Sequence, residues 1–256
     1  MNMRWALSRD SRKVLHRFVG PGTLLAFDFD GTLAPIVGDP NRARMNAATR
    51  RLLRTLAGTH SCVVLSGRSR RDLAGKLAGS GIRRAVGNHG AEAGRRMPGT
   101  RRQVALWCAD LGARLAALPG LKVECKGLSL TVHYRHCRWK ARARRAILDA
   151  ARTLPGVRLI GGKEAISVVP SGAPDKGAAL RAEMERTGCE AALYVGDDET
   201  DEDVFALRGG LRLLTIRVGR KAASGAQYYL RNQREIDELL RALLLAPRAD
   251  RRLGPS

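Results

Sequence analysis

The sequence is short of aromatic side chains, 4% of 256 residues, and of acids, with 24 Asp and Glu against 46 Lys and Arg. Four Phe, four Tyr and three Trp supply no aromatic-rich RNA motif, and there is no helix-turn-helix signature. Long apolar runs are missing as well: no stretch approaches the roughly 20 residues a membrane-crossing helix needs. The first eighteen residues carry Arg4, Arg9, Asp10, Arg12, Lys13 and Arg17, without an apolar core of the secretory kind. Regularly spaced cysteines are also lacking. Cys62, Cys108, Cys125, Cys137 and Cys189 include no C-x-x-C pair, and an odd, scattered set speaks against a disulfide framework and a zinc site. Cys62 and Cys189, beside apolar segments, read as core thiols. Together these absences predict a soluble protein of the reducing cytoplasm, with no membrane partner.

What is present points to a folded chain. Hydrophobic residues make up 44%, too many for a disordered one. The net charge of +22 invites a nucleic-acid reading, but the cations are mostly arginines spread from Arg4 to Arg252, with no single block. Such a pattern reads as a solvated surface. A non-catalytic basic nucleic-acid-binding protein is therefore the distant alternative, and a monomer is favoured slightly over an oligomer.

Apolar runs at Leu24–Phe27, Cys62–Leu65, Arg84–Val86, Ala192–Val195 and Leu213–Val218 read as buried parallel strands. Helical spacing over Ala47–Leu56 and Arg70–Leu77 alternates with them. That rhythm predicts a doubly wound, mainly parallel, Rossmann-like α/β sheet, with ligands beyond the carboxyl ends of its strands. The middle changes rhythm. Helices at Arg102–Leu118 and Ala141–Leu154 alternate with strand pairs at Lys122–Cys125 and Ser129–Tyr134, and at Arg158–Ile160 and Ala165–Val169. An inserted α+β unit is expected over 99–170, between sheet-forming parts at 1–98 and 171–256, with hinges near Pro98-Gly99 and Pro170–Pro174. The tail Pro247–Ser256 reads as loose.

Chemistry gathers at four segments. In Leu24-Leu-Ala-Phe-Asp-Phe-Asp-Gly-Thr-Leu33, an apolar strand ends in Asp28 and Asp30, which alternation directs to one side. Two such carboxylates need compensation, and a hard divalent cation supplies it. Tyr194-Val-Gly-Asp-Asp-Glu-Thr-Asp-Glu-Asp203 holds six acids in the seven residues from Asp197. Asp197, at the strand end, is placed to meet Asp28, while Glu202 and Asp203 read as helix-start acids. Ser66, in Leu65-Ser-Gly-Arg68, follows a third strand and offers a hydroxyl and backbone N–H groups for a phosphate oxygen. Lys176, in Asp175-Lys-Gly177, opens a helix and supplies a cation for carboxylate and phosphate.

This ordered quartet resembles the haloacid dehalogenase superfamily of Mg2+-dependent aspartyl phosphotransferases, and the insert resembles its type C2 cap. More narrowly, the chain from about Phe18 to Leu240 is similar to the trehalose-6-phosphate phosphatase family. The stretches that carry this are Asp28–Ile36, Gly87-Asn-His-Gly-Ala-Glu92, Val195–Phe205 and, in the insert, Glu124–Arg135 with its Lys…Ser…His-Tyr-Arg pattern. The resemblance implies Asp28 as nucleophile, Asp30 as general acid and base, and Ser66 with Lys176 as phosphate grips. It implies Mg2+ on Asp28, the Asp30 carbonyl and Asp197, with Asp198 and Asp201 in support. Substrate contacts are implied for Ser66, Gly67, Arg68, His89, Glu92, Lys126, Ser129, His133, Arg135 and Lys163. One departure stands out. The family follows its cap Gly-Lys with a Glu-x-Arg-Pro element, but Gly162-Lys163 is followed here by Ser167-Val-Val-Pro170. The expected reaction is Mg2+-dependent hydrolysis of trehalose 6-phosphate to trehalose and phosphate. The departure keeps open a phosphatase acting on another phosphosugar or a glycosyl-phosphoglycerate.

Overall fold

The computed structural model describes residues 3–93 and 98–246; the tail expected to be loose lies outside them. In chain order the elements are β1 (Arg4–Trp5), α1 (Arg9–Phe18), β2 (Thr23–Phe27), α2 (Ala47–Ala57), β3 (Cys62–Leu65), α3 (Arg70–Leu77) and β4 (Arg84–Val86). Then come α4 (Thr100–Leu115), β5 (Lys122–Cys125), β6 (Leu130–His133), α5 (Lys140–Arg152), β7 (Val157–Gly162) and β8 (Ala165–Pro170). The chain closes with α6 (Lys176–Thr187), β9 (Ala191–Gly196), α7 (Glu202–Phe205), β10 (Arg212–Val218), β11 (Tyr228–Leu230) and α8 (Ile236–Leu244).

Seven strands pair in parallel in the order β1-β11-β10-β9-β2-β3-β4. The central strands are buried on both faces, which is why β2 and β9 are continuous apolar runs and show no alternation. Two apolar layers flank the sheet, one around Leu25, Phe27, Leu53 and Leu239, the other around Ala26, Leu180, Tyr194 and Phe205. Local chemistry sets the helix starts. Asn46 accepts from Thr49 N, Ser69 from Asp72 N and Asp175 from Ala178 N, each satisfying a backbone donor that the helix leaves open.

The insert forms a separate antiparallel sheet, β5-β6-β8-β7, with α4 and α5 packed on it around Val104, Trp107, Leu111, Leu130, Ile147 and Val168. Both helices end earlier than their periodicity predicts, because Pro119 and Pro155 disfavour helical backbone just before them. Four elements were absent from the expectations: β1, α1, β11 and α8. Two are strands of only two or three residues, and α1 buries little beyond Ser11 and Leu15. In contrast, α8 carries a plain signal, with Ile236, Leu239, Leu240 and Leu243 buried along one face.

The cysteine reading needs correction. Cys108 of α4 and Cys125 of β5 form a disulfide, with Cα atoms 6.2 Å apart. Helix-on-sheet packing brings together residues 17 apart in sequence, a juxtaposition no spacing rule carries. Cysteine usage therefore gives no argument for a reducing compartment. Cys137 and Cys189 are buried free thiols, and Cys62 is half-buried. Among the described residues, no helix is long and apolar enough to cross a membrane.

Candidate active site

Three adjacent strands deliver the site. Asp28 follows β2, Ser66 follows β3 and Asp197 follows β9, all at carboxyl ends, while Lys176 opens α6. The Asp28 amide donates to Val195 O at 2.8 Å, tying the first acidic turn to the strand that leads to the second. A cavity of about 610 Å3 lies above them, roofed by β5, β6 and the β7–β8 turn of the insert.

Lys176 is fully buried between two carboxylates: its Nζ donates to Asp28 Oδ1 at 2.8 Å and to Asp201 Oδ1 at 2.7 Å. Burial opposes its charge, but Asp201 and Asp28 outweigh that and raise its pKa. Asp201 also accepts from the Tyr194 hydroxyl at 2.5 Å and, through Oδ2, from the Asp198 amide at 2.8 Å. The position accommodates this because residue 196 is glycine; a Cβ there would lie 2.2 Å from Asp201 Cγ.

Asp28, Asp197 and Asp201 offer carboxylate oxygens within 4.8 Å of one another, all buried. Three buried acids face one buried lysine, an excess of negative charge that a divalent cation would offset. The titration of the acids reflects the same imbalance. Burial, with Asp201 and Asp197 adding to it, raises Asp28 well above the usual carboxylate range despite Lys176. Burial and Asp201 push Asp197 up to about 7. Asp198 is raised too, chiefly by burial. Asp201 has already committed both oxygens to protein donors, which leaves Asp28 and Asp197 as the carboxylates with room for a metal. Among the described residues, the hydrogen bonds to the Asp197 carboxylate are long, from Thr32 Oγ1 at 3.5 Å and Lys163 Nζ at 3.4 Å. Its carbonyl and that of Asp198 accept from Arg217, at 2.5 and 3.2 Å. Gly31, at φ +86°, lets the Asp28–Thr32 turn pass against the Asp197 carboxylate, where a Cβ would come within 2.2 Å.

The remaining core residues are placed differently from expectation in two cases. Arg68 lines the cavity, but its guanidinium is taken up by protein: Nε and Nη2 grip both oxygens of Asp30 at 2.6 and 2.7 Å, Nη1 meets Asp72 at 2.6 Å, and Nη2 also reaches Pro40 O. It borders the cavity as a clamp on Asp30, with its donors turned to protein partners. Glu92 does not line the cavity. Its carboxylate accepts from Arg70 N, Gly87 N and Asn88 Nδ2, bracing the Gly87–Glu92 turn. Ser66 and Gly67 do face the cavity.

In the roof, Lys126, His133, Arg135 and Lys163 line the cavity. His133 Nε2 donates to Glu124 at 2.8 Å; that bond, helped by Lys126, lowers Glu124 to about 2. Lys126 donates to Gly67 O, and burial lowers its pKa. Arg135 binds Glu164 and the Val37 carbonyl, so it ties insert to core while bordering the cavity. His89 enters from the core with φ +57°, its Nε2 3.1 Å from Ser167 Oγ, which also meets Thr131 Oγ1 at 2.9 Å. Burial, then Lys126 and Lys176, hold the His89 pKa well below the usual value, so the ring is neutral at pH 7. In the roof, Ser129 departs from expectation: fully buried and outside the cavity, it donates to Asn88 Oδ1 at 2.6 Å and joins β6 to the core.

Sequence reasoning passed over Tyr194, Arg217 and Asn88. Tyr194 lies inside the acidic segment itself, and a phenol that must find a polar partner in an otherwise apolar strand was the available signal. Arg217 and Asn88 carry none, since their partners come from distant segments. Glu202 and Asp203 occupy the first turn of α7 as expected, and Glu202 also pairs with Arg217.

Residues 26–209 match the family model described as trehalose-phosphatase. The chain is similar to a probable trehalose-phosphate phosphatase of Oryza sativa, 31% identical over 88% of this chain and 66% of that one. It is likewise similar to a trehalose-phosphate phosphatase of Mycolicibacterium paratuberculosis, 36% identical over 72% and 51%. It thus spans about two thirds of the plant relative and half of the mycobacterial one. Among solved structures, a trehalose-6-phosphate phosphatase related protein aligns with TM-score 0.70 and 26% identity over 87% of this chain and 97% of that one. The C-terminal domain of the Candida albicans trehalose-6-phosphate phosphatase shares the fold, with TM-score 0.76 over 95% and 98% at 22% identity.

Proposed function

The chain belongs to the trehalose-phosphatase family, and from that premise we propose that it hydrolyses trehalose 6-phosphate to trehalose and phosphate. The observation that supports this most is the buried Asp28–Lys176–Asp201 chain beneath a polar cavity of about 610 Å3. It is the arrangement a carboxylate nucleophile needs: one oxygen fixed, the other free.

Lys176 occupies Asp28 Oδ1, so Oδ2 attacks phosphorus as the bond from phosphorus to the sugar oxygen breaks. The departing oxygen takes a proton from Asp30, which must first leave its two bonds to Arg68. Asp30 then accepts a proton from water, which attacks the aspartyl-phosphate, frees phosphate and restores the Asp28 carboxylate. Ser66 and Lys176 hold the non-bridging oxygens. Asp28 and Asp197, with the Asp30 carbonyl, would hold Mg2+, which when bound offsets charge on the transferring phosphoryl group. Roof residues Lys126, His133, Arg135 and Lys163, with His89, border the space for the sugar and help exclude water from the first displacement. The insert, over about 99–170, acts as a cap.

A second reading, a different phosphosugar or a glycosyl-phosphoglycerate, rests on Ser167. Its hydroxyl is spent on His89 and Thr131, and it presents no carboxylate to a sugar. Purified protein with Mg2+ and a panel of phosphosugars, assayed for free phosphate, tests both readings. Preference for trehalose 6-phosphate supports the first, preference for another member supports the second, and no release from any member rejects both.

A further inference from the structure

A second cavity, of about 670 Å3, lies at the far edge of the parallel sheet, against β4 and α3. It shares no lining residue with the catalytic cavity. Four arginines from three parts of the chain line it: Arg54 of α2, Arg70 at the start of α3, and Arg83 with Arg84 at β4. Its apolar lining includes Leu77 and Ile82, and among the described residues no carboxylate lines it.

The arginines fall into two kinds. Arg54 and Arg84 are anchored: Arg54 Nε donates to Gly79 O at 2.9 Å, and Arg84 donates twice to the buried Glu183, at 2.8 and 2.7 Å. Each guanidinium still has donors to spare. Arg70 and Arg83 are exposed, and among the described residues their side chains make neither a hydrogen bond nor an ion pair. In the catalytic cavity the lining arginines meet acids, as Arg68 meets Asp30 and Asp72 and Arg135 meets Glu164. Here four cations line one groove and, among the described residues, only Arg84 is paired with an acid; like charges so placed repel one another.

We propose that this groove binds a small molecule carrying several phosphate groups. Guanidinium forks match phosphate oxygens in pairs, two of the four forks are already held in place, and the apolar wall suits a non-phosphate moiety. The volume is that of an ordinary small-molecule site. This site stands apart from the catalytic reading and does not depend on it.

Calorimetric titration of the whole protein with tripolyphosphate, in EDTA at near-physiological salt, tests the proposal. Arg70→Ser/Arg83→Ser should weaken binding about tenfold or more, since each lost fork removes a charge-assisted contact. Arg142→Ser/Arg144→Ser, which removes the same charge from the exposed face of α5, should leave affinity nearly unchanged. Phosphate release from the preferred phosphosugar should be the same in all three proteins, which also reports a retained fold. The single variant Arg83→Ser gives the same direction with less disturbance. The proposal is overturned by absence of binding to the wild type, by unchanged affinity in Arg70→Ser/Arg83→Ser, or by equal weakening in both double variants.

Discussion

The Tyr194 hydroxyl donates to Asp201 Oδ1 at 2.5 Å, on the same oxygen that receives Lys176 Nζ. The phenol thus holds a carboxylate that holds a lysine that holds the nucleophile, all within the buried floor of the cavity. Tyr194→Phe keeps the ring and its edge-on contact with Phe205 while deleting the donor. A buried acceptor left short costs on the order of 1–3 kcal/mol. The expected outcome is a lower unfolding midpoint in urea and a kcat reduced about tenfold with KM little changed. Wild-type kcat in this variant would remove Tyr194 from the chain of support.

Asp28→Asn preserves shape but removes the attacking oxygen. Phosphate release should fall by at least about a thousandfold, because no other group offers a covalent route. Circular dichroism should show the fold retained. Residual activity of a few per cent would take the nucleophile role away from Asp28.

Gly31→Ala puts a methyl group where Asp197 now lies, at a φ that side chains avoid. Displacing Asp197 should raise the Mg2+ concentration needed for half-maximal activity about tenfold or more. EDTA should abolish turnover in the wild type, and added Mg2+ should restore it.

Ser167→Glu tests the departure in the roof. A carboxylate at this position should raise kcat/KM for trehalose 6-phosphate relative to glucose 6-phosphate. An unchanged ratio would show that position 167 does not set preference.

Glu124 supplies a pH dependence. Its hydrogen bond from His133, assisted by Lys126, lowers its folded pKa from 4.5 to about 2. A lowered acid contributes stability that is present above pH 4.5 and disappears as pH falls toward 2. The side chain is 43% exposed, so solvent screening keeps the effect small. Urea midpoints of wild type and Glu124→Gln should differ at pH 6 and converge near pH 2. A constant gap would exclude this linkage.

The strand β3 and the helix α3 were legible to the residue, because a buried parallel strand is an unbroken apolar run and its helix keeps a 3.6 period. The strand β4, Arg84-Ala-Val86 at the sheet edge, met its expected bounds without such a run. The motif acids were legible as well: strand-end placement and unusual acidity mark Asp28 and Asp197 in a basic chain. Arg68, Glu92 and Ser129 sit beside recognisable motif residues, but their partners, Asp30, the Gly87–Glu92 turn and Asn88, are settled by packing.

By itself the sequence determined the alternation of strand and helix, the interruption by an antiparallel unit, and the four segments where chemistry concentrates. These follow from periodicity and local composition, which the chain carries in order. Tertiary structure alone decided which charges neutralise which. It set Lys176 between Asp28 and Asp201, turned Arg68 onto Asp30, joined Cys108 to Cys125, and left Arg70 and Arg83 facing an edge groove without acids. Coulomb energy and hydrogen bonding depend on distance in space and on burial, and neither is written in the spacing of residues along a chain.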